Sequence, residues 1–513
     1  MKLSYKKTVF VGFAFFLIYA FWQAYDTLVP KILTDKFGLS QTVSGLVMAL
    51  DNVVALFLLP FFGMLSDRCR SKLGRRTPYV LVGTLLAVLL LLPFGYADTL
   101  QAQNLKDLSG DREAALTELW EADVEIRDPE SGSKVALSTL FEEKEDFTSI
   151  PIYDENGDVH RDHTDYVIPA RQAYALQKTV ARPGALILFM GALMLLLVAM
   201  SVFRSPAVAL MPDVTVKPLR SKANAVINLM GTAGGVCILI LGAVMGTGTT
   251  ANALMSYTVF FIIVAALMLT ALAIFLWRVR EPQWASEMQA ESKRLGLDAE
   301  KKETPVGEKR KLTPAERRSL VLILASVVLW FMGYNAVTSK YSVYAGSVLG
   351  MDYNTTLLIA NIAAIISYIP VGFISSKFGR KKTILAGIVI LSTSFFAACF
   401  LRAGSPVALM NVLFAMAGIG WATINVNSYP MVVELATGSD VGRYTGYYYT
   451  ASMAAQVVTP VLSGVFLDIR FTTLFPYATL FVMAAFVTML TVRHGDAKPD
   501  AKKTVLDGIG GED

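Results

Sequence analysis

Cysteine, histidine and charged side chains are all scarce in this chain of 513 residues. Its three cysteines, Cys69, Cys237 and Cys399, are too widely spaced for a metal-binding motif or a disulfide framework. Two of the three histidines, His160 and His163, are neighbours, but no nucleophile or cysteine cluster accompanies them. These absences argue against an enzyme and against a bound metal or cofactor. The small net charge of +5 gives no reason to expect a nucleic-acid partner.

Long apolar runs are what the chain has in abundance. Hydrophobic residues make up 54% of the chain and its mean hydropathy is +0.50, whereas soluble domains are roughly 45–50% apolar. A helix needs about 20 apolar residues to cross a bilayer. Twelve such runs occur, at about residues 8–30, 42–65, 78–97, 184–211, 223–246, 254–277, 319–344, 353–375, 383–401, 406–433, 442–467 and 472–492. They are continuous rather than short and alternating, so they predict an all-α membrane protein rather than a β-barrel.

The loops between these runs differ in positive charge, which predicts the orientation of the chain. Alternate loops are rich in Lys and Arg, as in the stretch 68–76 and in the stretch 377–382. The opposite loops hold few cations, such as Lys31 and Lys36 in the first. Because basic loops stay in the cytoplasm, both termini are predicted to be cytoplasmic. The first run is too long for a signal peptide and is expected to remain as a helix in the plasma membrane.

Two polar segments divide the chain. Residues 97–180 carry 19 acidic and 8 basic residues, a net of −11, and are expected outside the cell as a small cap or a disordered loop. Residues 278–318 separate six runs from six, as in transporters built from two related halves. The predicted divisions are therefore a first half at 1–277 with the insert 97–180, a cytoplasmic loop at 278–318, a second half at 319–495 and a tail at 496–513.

A short motif occurs once in each half, after the second apolar run. In the first half it reads GMLSDR from residue 63, followed by GRR from residue 74; in the second it reads GFISSK from residue 372, followed by GRKK from residue 379. The motif resembles the cytoplasmic loop motif of the major facilitator superfamily. The longer first copy, SDRCRSKLGRRTP, is similar to that of sucrose:proton symporters and of the related glycoside–pentoside–hexuronide:cation symporters.

The resemblance implies twelve helices in two pseudo-symmetric halves, and uptake of a sugar such as sucrose, maltose or another glycoside by alternating access. Proton coupling is implied too, with sodium left open. However, Leu197 stands where plant sucrose transporters carry an aspartate, and Ala55 and Leu59 stand where melibiose-type transporters carry carboxylates. Coupling must therefore be relocated to another residue, or be lost.

Ionisable residues inside the membrane are candidates for coupling, because a charge in hydrocarbon costs at least about 2.5–3.5 kcal/mol. Asp51 lies within the second run, one helical turn from Ala55, and is the first candidate. Asp26, on one face with Trp22, is the second. A structural role for Asp51 and solvation of Asp26 at the helix end are the alternatives. Arg204 is expected either to bind sugar hydroxyls or to pair with a carboxylate.

Sugar binding needs aromatic faces and hydrogen-bonding side chains, since a buried hydroxyl without a partner is costly. For any one such residue, ordinary helix packing is an equal alternative. The predicted substrate-binding residues are Trp22, Gln23, Asn52, Arg204, Asn228, Trp330, Tyr334, Asn335, Trp421, Asn425 and Gln456.

The repeated motif is predicted to act as a gate as well as a topology signal. We expect Asp67 to lie against the start of the eleventh helix, near Gly442 and Arg443, and Arg75 and Arg76 to pair with Asp213 or Glu434. The predicted gating residues are Gly63, Asp67, Arg68, Gly74, Arg75, Arg76, Asp213, Gly372, Gly379, Arg380, Lys381 and Glu434.

Two other classes of function remain open from the sequence. A drug or solute exporter would share the fold but favour a more apolar cavity. A membrane sensor would be built around residues 97–180. The expected partners are a sugar and the lipid bilayer, and the chain is expected to be a monomer.

Overall fold

The structure is a computed structural model that describes residues 3–129, 131–155, 159–216, 219–294, 312–435 and 441–496. Long α-helices dominate it. The only sheet among these residues is a two-stranded hairpin.

The described part of the first half contains six long helices, with a small folded insert between the third and the fourth. The first three helices are α1 (Tyr5–Lys31), α2 (Gln41–Asp67) and α3 (Thr77–Asn104). The insert contains α4 (Arg112–Glu121), β1 (Glu125–Arg127), β2 (Lys134–Ala136), α5 (Leu137–Leu140), α6 (Lys144–Thr148) and α7 (Ile168–Ala181). The last three helices are α8 (Gly184–Val214), α9 (Arg220–Met245) and α10 (Thr258–Arg278).

The second half begins after the polar helix α11 (Glu281–Arg294) and residues 295–311, which lie outside the description. Its helices are α12 (Pro314–Tyr344), α13 (Tyr353–Phe378), α14 (Arg380–Ala398), α15 (Val407–Val433), α16 (Val441–Ile469) and α17 (Leu474–Leu490). Thr313 and Glu316 form a capping box at the start of α12, in which each side chain bonds the other residue's backbone N–H.

Eleven of the described helices are long and apolar enough to span a membrane, and α13 adds a shorter apolar stretch, Tyr353–Tyr368. This confirms the prediction of an all-α, twelve-helix membrane protein. Each half has its own buried hydrophobic core. Polar side chains that the helices carry between the two cores therefore meet at the interface of the halves.

The end of the first helix differs from the sequence-based expectation. Lys36, expected in a short loop, lies in a π-helical turn (Ile32–Lys36) that continues α1. It forms an ion pair with Asp98 of α3, and both side chains are fully buried. The Lys36 ammonium also lies 4.2 Å from the centre of the Tyr257 ring. A buried partner and an aromatic face compensate the lost hydration, so this lysine carries no information about topology.

The insert is folded rather than disordered in its described part. Buried apolar side chains from α4, β1, α6 and α7 form a third core, which includes Leu119, Ile126, Phe147 and Tyr174. We call the end of the bundle that carries it the insert end, and the opposite end, with the repeated motifs, the loop end.

Hydrogen bonds join the two halves at the insert end. Asp468, near the end of α16, accepts a hydrogen bond from the backbone N–H of Gln41 at 2.7 Å. The buried Lys340 of α12 donates to the carbonyl oxygen of Gln41, also at 2.7 Å. Nearby, the amide of Asn354 donates to the Thr247 hydroxyl at 3.1 Å. These bonds hold the halves together at the insert end.

Candidate functional site

A cavity of about 770 Å³ lies between the two halves. It is lined by α1 and α9 from the first half and by α12, α13, α14 and α15 from the second. Its polar and aromatic lining includes Tyr19, Gln23, Asp26, Asn228, Thr232, Tyr334, Thr338, Asn361, Tyr368, Trp421 and Asn425. Five of the predicted substrate-binding residues, Gln23, Asn228, Tyr334, Trp421 and Asn425, therefore meet in one place.

Two aromatic rings in this cavity are stacked on each other. The Tyr334 and Trp421 rings are 3.7 Å apart between centres and within 3° of parallel. Phe331 packs edge-on against Trp421, with ring centres 5.2 Å apart. The stack joins α12 to α15 and fixes both rings in orientation. A ligand in the cavity therefore meets a rigid aromatic surface beside amide side chains.

A second, smaller cavity of about 180 Å³ adjoins the first. Its lining consists of Trp22, Asp26, Met48, Asp51, Asn52, Arg204, Asn335, Thr338, Ser339, Gln456 and Pro460. The two coupling candidates, Asp26 and Asp51, thus meet here with Arg204. Asp26 and Thr338 line both cavities, so they form the boundary between them.

Among the described residues, the smaller cavity is lined by two carboxylates but only one guanidinium. Asp26 and Asp51 both interact electrostatically with the single guanidinium of Arg204. Asn52 donates a hydrogen bond to Asp51 at 2.7 Å, and the guanidinium lies 5.1 Å from the centre of the Trp22 ring. One cation balances one carboxylate, so a proton on the second carboxylate makes the group neutral. Without that proton the group carries one unbalanced negative charge, so burial favours binding of the proton by one of the two carboxylates.

The prediction for Trp330 differs from the structure. Its side chain is fully buried, and it lines neither cavity. Ile323, Val327, Trp330 and Val337 recur at helical spacing and form an apolar stripe of α12 in the core of the second half. Trp330 therefore belongs to this stripe, whereas Tyr334 belongs to the neighbouring polar face.

Several cavity residues were missed by sequence reasoning. Tyr19 precedes Gln23 by four residues and Asp26 by seven, so helical spacing along α1 was a sufficient signal. Thr338 likewise follows Tyr334 by one turn. Asn361 and Tyr368 of α13 were not distinguishable from ordinary membrane-facing residues by sequence.

A network of hydrogen bonds and ion pairs around Arg76 holds the loop end of the first half. Arg76 is 5% exposed. Arg76 Nε donates to Asp213 at 2.8 Å, and its two terminal nitrogens contact Ser66 and Asp67. Arg75 lies 3.3 Å from the same carboxylate of Asp213. The predicted pairing of both arginines with Asp213 is present in the structure, and it joins α3 to the end of α8.

Glu281, the first residue of α11, completes this network and was not predicted. Its carboxylate accepts hydrogen bonds from the backbone N–H groups of Arg75 at 2.7 Å and Thr77 at 2.8 Å. A carboxylate at the first turn of a helix satisfies N–H groups that have no partner within the helix. Glu281 thus caps the start of α3, next to Gly74, whose φ of 111° suits glycine.

The second half repeats this arrangement with different residues. Arg380 donates to Glu434 at 2.8 Å, as Arg76 does to Asp213. Asp496 accepts the backbone N–H of Arg380 at 2.7 Å and caps α14, as Glu281 caps α3. Glu434 is therefore the partner of Arg380, and of the two partners predicted for Arg75 and Arg76 the structure has Asp213, because each arginine pairs within its own half.

The other gating candidates occupy simpler positions. Arg68 is the exposed C-cap of α2. The carbonyl oxygen of Gly63 accepts a hydrogen bond from Ser66 at 2.8 Å, and that of Gly372 accepts one from Ser375 at 3.3 Å. Residues 436–440 and the side chain of Arg443 lie outside the description, and so does the predicted contact of Asp67 with the start of α16.

Two halves of six helices around a central polar cavity define a membrane transporter rather than an enzyme. The sequence model of the Major Facilitator Superfamily matches residues 11–104, 173–369 and 356–508. The chain therefore belongs to this superfamily. Residues 105–172, most of the insert, lie outside the match.

Curated relatives match short stretches of the chain. It is 34% identical over 70 residues to Sucrose transport protein SUC3 of Arabidopsis thaliana, covering 14% of this chain and 11% of that protein. It is 38% identical over 95 residues to Proton-associated sugar transporter A of Homo sapiens, covering 17% of this chain and 12% of that protein. The matched stretches thus span less than a fifth of either relative.

Solved structures match over nearly the whole chain. The inward open xylose transporter XylE from E. coli aligns with a TM-score of 0.56 at 14% identity, covering 96% of this chain and 97% of that chain. A peptide transporter POT in complex with sulfate aligns with a TM-score of 0.58 at 12% identity, covering 94% and 92%. At these identities the likeness concerns the fold.

Proposed function

We propose that the protein is a secondary active transporter of the plasma membrane that takes up a sugar, such as sucrose, maltose or another glycoside, together with a proton. The observation that carries the proposal is the pair of adjoining cavities that share Asp26 and Thr338. The larger cavity has the size and lining for the sugar, and the smaller cavity has the carboxylates for the proton. Uptake is proposed to occur by alternating access of a monomer.

The larger cavity suits a polyhydroxylated ligand. Its volume of about 770 Å³ lies within the range of roughly 300–1,000 Å³ that small-molecule sites occupy. Amides of Gln23, Asn228 and Asn425 offer donors and acceptors for hydroxyls, and the stacked Tyr334 and Trp421 offer an apolar surface for sugar C–H groups. The printed names of the relatives, a sucrose transport protein and a proton-associated sugar transporter, support the same class of substrate.

The smaller cavity suits proton coupling. Two carboxylates share one guanidinium there, so sugar binding beside Asp26 changes the surroundings of the proton site through a shared wall. We assign the coupling proton to this group of Asp26, Asp51 and Arg204. Sodium coupling is the alternative, and it is one arm of the test below.

The orientation is proposed with both termini in the cytoplasm, from the distribution of Lys and Arg among the loops. The insert then lies outside the cell. Since the halves are hydrogen-bonded at the insert end, the conformation is one in which the outer end is closed.

Uptake by purified protein in liposomes tests the function. Radiolabelled sucrose, maltose and other glycosides are supplied in the presence of a pH gradient, a sodium gradient or neither. The proposal expects accumulation of at least one sugar that depends on the pH gradient. Absence of accumulation for every sugar under every gradient would refute it, and dependence on sodium alone would refute the proton.

Two amide variants test the assignment of the two cavities. Asp51→Asn should abolish accumulation but retain sugar binding and sugar exchange, because Asp51 lines only the smaller cavity. Asp26→Asn should impair both accumulation and sugar binding, because Asp26 lines both cavities. Asp111→Asn, at an exposed position of the insert, is the matched control and should behave as wild type. Gradient-driven accumulation by Asp51→Asn would contradict the assignment.

A further inference from the structure

The insert is fastened to the first half by buried polar contacts as well as by the chain. Gln172 of α7 donates to Asp35 at 2.8 Å. Gln101 of α3 donates both to the carbonyl oxygen of Lys36 at 2.7 Å and to Thr179 of α7 at 2.9 Å. With its own core and these bonds, the insert moves as a part of the first half.

The insert also reaches across to the second half. Val159, which is 4% exposed, packs on Gly350 at the end of the turn Ala345–Leu349 that follows α12; a side chain at Gly350 would overlap with Val159. Arg127 of β1 donates to the carbonyl oxygen of Ile469, the last residue of α16. The insert therefore contacts two separate elements of the other half.

A charge interaction lies at a third place. Asp165 of the insert is partly buried, and burial raises the pKa of its carboxyl above the ordinary range, while Arg161 and then Arg402 oppose that rise. Arg161 belongs to the insert, whereas Arg402 lies in the turn between α14 and α15 of the second half. Arg402 therefore attracts the Asp165 carboxylate electrostatically across the boundary.

We propose that the insert is a strap that holds the insert end of the transporter closed. It is fixed to one half and contacts the ends of two elements of the other, at Gly350 and at Ile469. Opening of the insert end separates the halves there, so it must break the contacts at Gly350 and Ile469. The proposal rests on alternating access in the proposed function, but it does not depend on which solute is carried.

The strap is expected to be weak enough to release. The Arg127 side chain is exposed, and one such hydrogen bond contributes about 0.5–1.5 kcal/mol. Its loss should raise the ratio of open to closed insert ends about two- to tenfold. Insertion of a methyl group at Gly350 should have at least this effect, because it displaces Val159.

Distances between spin labels in lipid nanodiscs test the strap. Labels at the exposed positions Ala251 and Ala408 report the separation of the halves at the insert end, in full-length protein whose native cysteines are replaced. Arg127→Ala and Gly350→Ala are compared with Gly132→Ala. Gly132 is a suitable control because it also has a positive φ, 73° against 63° for Gly350, but has free space around it.

The strap predicts a larger fraction of long distances in Arg127→Ala or Gly350→Ala than in Gly132→Ala. Equal distributions in the three variants would overturn it. Arg127→Ala removes only an exposed side chain, so it decides the question if Gly350→Ala does not fold. The measurement needs no substrate; failure of sugar uptake would refute the proposed function and leave this result standing.

Discussion

Replacement of Glu281 with glutamine is predicted to loosen the start of α3. Glu281 is only 3% exposed, and its carboxylate accepts the backbone N–H groups of Arg75, Arg76 and Thr77 as well as the Thr77 hydroxyl. Glutamine has nearly the same shape, but one of its acceptor oxygens is replaced by an amide NH₂. That group is a donor and would face the N–H groups it should accept from.

The magnitude follows from three effects on the same bonds. Loss of an N-cap costs about 0.5–2 kcal/mol, loss of a negative charge at a helix start costs about 0.3–1 kcal/mol, and a buried donor left without a partner costs about 1–3 kcal/mol. These effects overlap, so we expect the free energy of local opening at the start of α3 to decrease by about 3 kcal/mol rather than by their sum. This corresponds to roughly a hundredfold increase in local opening.

Hydrogen exchange of the amides around residues 75–77 measures that opening directly. In nanodiscs, Glu281→Gln should exchange there roughly a hundredfold faster than wild type. Glu287→Gln is the matched control on the same helix, since the Glu287 side chain is 47% exposed and its partners Lys7 and Gln283 lie at the surface. Unchanged protection in Glu281→Gln would refute the capping role.

Two further predictions concern buried ionisable side chains near the insert end. Asp98→Leu should destabilise the protein by about 3–5 kcal/mol, because it leaves Lys36 charged and buried. Lys36→Met with Asp98→Leu should recover part of the loss of melting temperature, since the backbone N–H of Tyr257 still lacks the Asp98 carboxylate. Burial, reinforced by the charges of Arg171 and Arg112, lowers the pKa of His163 to about 3. Between about pH 6.5 and pH 3, His163 therefore binds a proton in the unfolded insert but not in the folded insert. The free energy of unfolding consequently decreases by about 1.4 kcal/mol for each pH unit below about 6.5. His163→Gln should flatten this dependence in hydrogen exchange of the insert, and an equal slope in both proteins would contradict it.

The fold was predictable because its signals are long and repeated. Continuous apolar runs define the helices without any knowledge of packing, and the paired motifs indicate the two halves. The sequence also places Asp213 near Arg76, since both lie at ends of runs that meet on one side of the membrane. Glu281 was missed because a capping residue distant in sequence has no local signature.

The site was predictable only in part, because composition does not tell which face of a helix meets the cavity. Trp330 and Tyr334 are one turn apart on α12, yet one is in the core and the other lines the cavity. Lys36 was placed in a loop because its partner, Asp98, is 62 residues away. The contacts of the insert with the second half depend on tertiary packing alone, so no sequence pattern indicates them.

A substitution at Asp67 distinguishes two roles of the repeated motif: a gate between the halves and a brace within the first half. In the structure it contacts Arg76 while remaining 57% exposed at its side chain, so the bond contributes about 1 kcal/mol or less. Arg76 would keep Asp213 and Ser66 after Asp67→Asn, and no buried charge would lose its partner. The melting temperature should therefore change by about 2 °C or less. If the motif also acts between the halves, transport rate must nevertheless change, because the carboxylate is available to the second half. An unchanged rate and an unchanged melting temperature would confine the motif to bracing α2, α3 and α8 within the first half, as Arg380, Glu434 and Asp496 brace the second.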